Sequence, residues 1–372
     1  MSTLLGFNSM PAAASMAISI STGSTIALLF VASFLHFVEG QKLTRTIWLV
    51  LGCIALSGVI PLIRSYGVED ASKSSWLAAH ACLFGFCLLW RAFTIDSFYR
   101  CLGITMILSL ASIALGQSAF SIDARNVFVE GRLTGVFGHP NLSGMAAALT
   151  IVLAAHRRKV VSVVGISAIV VVVGSLSLTS LVSLALGLIV VWTRPVRAVK
   201  LVILALVTAS YFAPLVLASL SSSEADLHLF TGRVAVWEWV LSQHFDPTIG
   251  GGLSAFTSLS RLGQIPWVHA HNQLLMDVAT GGGTLAALTV IWIIVLGRSA
   301  VNAESVLPLA VWAMLIIHSI TEVPFFVDYP GGRLLLLTLS IGAIISSQAR
   351  SAVPSRYRDE TPLGGARTEH SR

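Results

Sequence analysis

Apolar runs of about 18 to 22 residues recur along nearly the whole chain with short polar breaks between them, and that is the length a helix needs to cross a bilayer. Backbone groups in lipid must pair internally, so such runs fold as helices and not as open sheets. Candidate spans lie near 16–37, 45–63, 75–93, 101–120, 141–156, 160–177, 179–193, 199–219, 272–297, 305–323 and 334–349. A short run at Leu4–Ile18, broken by Asn8 and Pro11, would add one more. The expectation is an all-α polytopic membrane protein with about 11–12 transmembrane helices. Residues 1–349 would form one bundle and 350–372 a disordered cytoplasmic tail.

A chain of 372 residues with 55% hydrophobic and 11% charged residues has too little polar surface to cover soluble domains. Cys53, Cys82, Cys87 and Cys101 all fall in predicted spans and read as small buried hydrophobes, not as a disulfide frame or zinc site. The net charge of +6 comes from basic residues in short connections, which set orientation and do not point to nucleic acid. Lys42 and Arg45, Arg91 and Arg100, the HRRK run at 156–159, Arg194 with Arg197 and Lys200, Arg298 and the tail mark the cytoplasmic ends. No cleavable signal peptide is expected.

On that arrangement the longest break, 220–268, lies outside the membrane together with 121–139 and 322–333, and these segments hold most of the remaining polar chemistry. Within the long external loop Phe230, Val234, Trp237 and Leu241 stand at helical spacing, which predicts a short amphipathic helix on the membrane or over a cavity. The DPTIGGGLSAF stretch after it reads as a turn-rich return.

Four groups of residues carry candidate chemistry. Pro140 suits the first turn of a helix, so Arg132 places a cation beside an N-terminus that favours anions; the plainer reading is an arginine reaching to lipid headgroups. Thr231 suits an N-cap with Arg233 in the first turn, where a cation asks for an anionic partner; the alternative is a cation–π contact with Trp237. Asn272 can cap the span that follows His269 and His271, and Gly281–Gly283 permits close approach of another helix or a break. Two histidines lack the further ligands a metal needs, whereas a neutral imidazole is suited to accept a proton. Glu322, one turn after His318, requires a partner such as Arg132 or Arg233 or forms a plain structural ion pair. Arg261, Arg333, Asp246 and Asp328 read as solvated loop charges.

The series RLTGVFGHPN, TGRVAVWEW with PTIGGGLSAF, and HAHNQLLMDVATGGG resembles the O-antigen ligase and polymerase superfamily, membrane glycosyltransferases of the GT-C type, over roughly Arg132 to Glu322. The resemblance implies transfer of a glycan from a polyprenyl-pyrophosphate carrier to an acceptor hydroxyl on a lipid, polymer or glycan. It also implies an inverting reaction without metal or other cofactor, at the external, periplasmic face of a multi-pass protein in the cytoplasmic membrane. Carried onto this chain, Arg132 matches the arginine upstream of the Pro-Asn pair that contains Asn141, and Arg233 matches the Gly-Arg arginine. His271 and Asn272 match the His-Asn motif, His269 falls where several members have histidine, and Glu322 resembles the late acidic residue. The resemblance thus assigns catalysis to His271, Arg233 and Arg132, and substrate binding to His269, Asn272, Glu322, Trp237 and Asn141. The helix around Trp237 and Trp239 would offer aromatic surface to sugar or lid the site.

Two departures stand out: Gly282-Gly-Thr-Leu285 replaces the Gly-x-x-Gly ending, and LTSLVS lacks the arginine of a common Ser-Arg pair. A polymerase using a second lipid-linked glycan shares these motifs. A lipid-linked glycan flippase or transporter would place charges at mid-span, and a non-catalytic scaffold would tolerate His271→Ala.

Overall fold

The computed structural model of the protein describes residues 45–65, 70–88, 94–114, 128–129, 131–137, 139–220, 233–256, 269–326 and 332–351. The predicted first span at 16–37, the N-cap at Thr231, the charges Arg261 and Asp328 and the tail 352–372 lie outside the described residues. What is described is mostly helical: α1 (Arg45–Val59) continued by a 3-10 turn (Ile60–Arg64), α2 (Asp70–Leu88), α3 (Ile95–Ala114), α4 (Pro140–His156), α5 (Val163–Gly174), α6 (Leu178–Thr193), α7 (Arg197–Ser210), α8 (Ala213–Leu220), α9 (Arg233–Ser242), α10 (Gln273–Asn302), α11 (Leu307–Ser319) and α12 (Gly332–Ser351).

Two of these, Arg45–Arg64 with 20 residues and Gln273–Asn302 with 30, are long and apolar enough to cross a membrane. α4, α5, α6, α11 and the first part of α12 are apolar but shorter. The run predicted at 160–177 is shortened because Ser162 caps α5 and Leu176 turns the backbone left-handed at φ 47°. The run predicted at 199–219 is split by a turn at Tyr211 and Phe212.

α4 and α11 occupy the centre. Each is buried almost all round, as expected of a helix without a polar stripe. α4 packs on α5, α6, α3 and α11, and α11 packs on α6, α10, α12 and α7. The outer helices do the opposite: α5, α6 and α7 leave Val163, Val173, Leu178, Trp192 and Leu206 exposed. Cys53 and Cys87 are buried, and Cys82 and Cys101 are half-buried free thiols.

The helix predicted on the 220–268 loop forms, but not as a surface-lying amphipath. α9 buries Val234, Val236, Trp237 and Val240 while Leu241 is exposed, because α8 and α10 pack against it. The connection before α4 also carries a two-stranded ribbon, β1 (Phe128–Val129) and β2 (Arg132–Leu133), antiparallel with Val129 opposite Arg132.

α10 is broken at Gly282, whose φ 64° and ψ −162° are open to glycine and strained for other residues. The break allowed by the GGG run is present, and what approaches it closely is a turn and not another helix. The turn 246–252 docks into the break: Gly251 N donates to Ala279 O (2.7 Å) and Gly252 N to Thr280 O (2.9 Å), while Gly283 N donates to Pro247 O (2.7 Å) and Thr284 N to Thr248 O (3.2 Å). A Cβ on Gly282 would stand 2.4 Å from the carbonyl carbon of Thr248. Asp246, read as solvated, begins this turn by accepting from Thr248 N and Ile249 N and pairing with Arg64 at 3.2 Å.

Candidate functional site

Two helix starts face the same polar cluster. At the first, the ribbon aims Arg132 back at α4. Its Nε donates to Ser175 O (2.9 Å) and its Nη2 to Asn141 Oδ1 (2.7 Å). Pro140 occupies the first turn and His139 is the N-cap, its Nδ1 accepting from Asn141 N at 3.3 Å. With the backbone amide so satisfied, the Asn141 side chain is left to bridge: its oxygen faces Arg132 and its Nδ2 donates to Glu322 Oε1.

Glu322, its side chain 5% exposed, lies in the turn after α11 and also receives Nη2 of Arg233, 18% exposed, at 3.2 Å. The predicted partner of Glu322 is therefore Arg233 directly and Arg132 through Asn141. Arg233 spends its charge on a carboxylate, whereas the described bonds of Arg132 end on neutral oxygens. The start of α6 backs this network: Ser180 Oγ donates to Asn141 O (3.3 Å) and Thr179 shares a hydroxyl bond with Thr321 (2.6 Å). Those residues belong to the LTSLVS stretch whose missing arginine marked a departure.

At the second start Asn272 caps α10 as predicted, its side-chain oxygen accepting from Leu275 N at 2.9 Å. Before it, His269 Nδ1 accepts from His271 N (3.2 Å) and the two rings lie 3.9 Å apart. His271 is held left-handed at φ 50°, a conformation that costs an L-residue about 1–2 kcal/mol, and its buried Nδ1 has no hydrogen-bond partner among the described residues.

Trp237 fixes this loop from the side, its Nε1 donating to Ala270 O at 3.1 Å. It is fully buried, so it offers no ring face to a sugar; the expected aromatic platform is corrected to a structural post. Trp239 is half-buried against Phe245 and Phe256. Arg333, read as a solvated charge, sits half-buried at the start of α12 and acts on the histidines.

Burial holds His271 down to about 4, helped by the charge of Arg233, by repulsion from His139 when both rings are protonated, and by Arg333. His139 is likewise lowered to about 4 by burial, then by Arg333, Arg132 and Arg233. His269 lies well below its usual value through burial and then His271. At neutral pH these rings are uncharged and can accept a proton. Glu322 is pushed up by burial against the pull of Arg233 and Arg333. His318, one turn before it, is fully buried with neither ring nitrogen bonded among the described residues. Among the described residues no three His, Cys, Asp or Glu side chains stand together as a metal ligand set.

Sequence reasoning missed His139, Ser180 and Thr179. The HPN spacing held a signal for the first, since an N-cap needs an acceptor just before Pro140. No family model, curated protein or solved structure matches this chain.

Proposed function

We propose that this chain is a polytopic membrane glycosyltransferase of the O-antigen ligase type, which moves a glycan from a polyprenyl-pyrophosphate carrier to an acceptor hydroxyl at the outer face of the cytoplasmic membrane. The observation that carries the reading is the meeting of four distant segments: Arg132 and Arg233 converge on Asn141 and Glu322 in the cluster that faces the neutral His271. The apolar side chains exposed on α5, α6 and α7 support a lipid surround.

In this reading the diphosphate oxygens take the guanidinium N–H groups that Arg132 and Arg233 do not already use. Arginine carries five such donors, and the described bonds engage two on Arg132 and one on Arg233. Fixed cations in a water-poor site contribute most where negative charge grows, here on the leaving diphosphate. The acceptor oxygen attacks the anomeric carbon as its proton passes to His271. The bond from that carbon to the diphosphate oxygen breaks, and the electron pair leaves with the polyprenyl diphosphate. A single displacement inverts the anomeric centre.

A base near 4 is weak on its own. Arrival of the diphosphate offsets the positive field of Arg233 and lifts the imidazole toward the range where a general base works best. Glu322 keeps Arg233 in place until then.

The test is reconstitution in liposomes with a polyprenyl-pyrophosphate glycan and candidate acceptors. Transfer is expected from the unaltered protein and is expected to disappear in His271→Ala and Arg233→Ala. Transfer unchanged in both variants would overturn the assignment.

A further inference from the structure

Asp277 is 2% exposed on α10, where an ionisable group is costly unless it has a task. Its Oδ1 accepts from Gln273 Nε2 at 2.8 Å and its Oδ2 accepts from the Tyr211 hydroxyl at 3.4 Å. Gln273, 1% exposed, uses its other end: Oε1 accepts from Phe325 N at 2.9 Å. One residue earlier, Asn272 Nδ2 donates to Ser319 O (3.3 Å) and Ile320 O (2.9 Å). The two residues that follow His271 therefore clip the turn carrying Glu322 on both sides, at 319–320 and at 325.

An amide can sit in two orientations, and only one serves here. Flipped, Gln273 would set its NH2 against the Phe325 N–H, donor facing donor. A carboxyl that receives Nε2 forces the oxygen toward Phe325. Glu322 lies between the clips and holds Arg233 and Asn141.

We propose that Gln273 and Asp277 are positioning residues for the donor-binding arginines: Asp277 sets the Gln273 amide, Gln273 holds the turn at Phe325, and the turn places Glu322. This rests on the functional reading above. It makes His271 and Glu322 parts of one unit, so the base and the carboxylate that steadies Arg233 keep a fixed separation.

The experiment uses the full chain in liposomes. Gln273→Met keeps the side chain's length and removes both bonds; Asp277→Leu cuts the same link at another atom; Asp277→Asn retains an acceptor oxygen for Nε2. Gln273→Met and Asp277→Leu are expected to raise the donor KM about tenfold with kcat per folded protein little changed, whereas Asp277→Asn stays near the unaltered protein. Loss of folded protein alone would lower the apparent kcat at constant KM. Amide hydrogen exchange at Phe325 is expected to speed up in the two cutting variants, a readout that needs no turnover. Unmoved exchange, or unmoved donor KM in whichever cutting variant folds, overturns the positioning role while leaving the functional reading intact. Absence of both transfer and inorganic pyrophosphate binding in the unaltered protein overturns that reading, and the positioning role with it.

Discussion

The starts of α4 and α10 use the same residue types for different tasks. In each, a histidine Nδ1 accepts from the backbone amide two residues on: His139 from Asn141 N, His269 from His271 N. In α4 the histidine is itself the N-cap, so Asn141 falls inside the helix and its carboxamide is released to join Arg132 to Glu322. In α10 the asparagine is the cap, so Asn272 is occupied with Leu275 N and the carbonyls of Ser319 and Ile320, and His271 Nδ1 is left without a partner among the described residues. Register relative to the cap, not residue identity, decides which side chain is available for chemistry.

Exchanging the roles by mutation tests that contrast. The largest effect is expected from His271→Ala, a loss of transfer of at least about a hundredfold, against less than about tenfold for His139→Ala, both in liposome assays. Next, Asn141→Leu is expected to raise the donor KM about tenfold, while Asn272→Ala acts first on stability, by about 2 kcal/mol in denaturant titration.

The two histidines also differ in their neighbours. Arg233 is the foremost charge acting on His271 but ranks behind Arg333 and Arg132 for His139. Arg233→Gln should therefore raise the His271 pKa more than that of His139, as read by NMR titration of the rings. Both are depressed from 6.5 to about 4, so their contribution to stability is present above 6.5 and is lost as pH falls through about 4. The acid limb of kcat/KM for the donor is expected near that value in the unaltered protein. The smallest effect is expected from His139→Asn, which keeps an acceptor at the cap and should change stability by under about 0.5 kcal/mol.

What the sequence revealed were the local rules. Pro140 at a helix start, Asn272 as cap and the demand of Glu322 for a cation all follow from neighbours in the chain or from the cost of burying charge. What it concealed depends on distant packing. Trp237 sits at a spacing suited to a surface stripe, yet α10 and its preceding loop cover the other face of α9. Arg333 gains its influence only because α12 starts beside the histidines. Hydropathy also could not register the turn at Tyr211 and Phe212, since two aromatic residues do not interrupt the apolar run on either side of them.

The break at Gly282 has one more consequence. The four backbone groups that would form two bonds within an unbroken α10, Ala279 O and Thr280 O with Gly283 N and Thr284 N, bond instead to residues 247–252, so the helix is spliced through a second piece of chain. During synthesis that piece emerges before α10. Lengthening or shortening 246–252 by a single residue should damage the helix as severely as an insertion within it, although the altered residues lie in a turn.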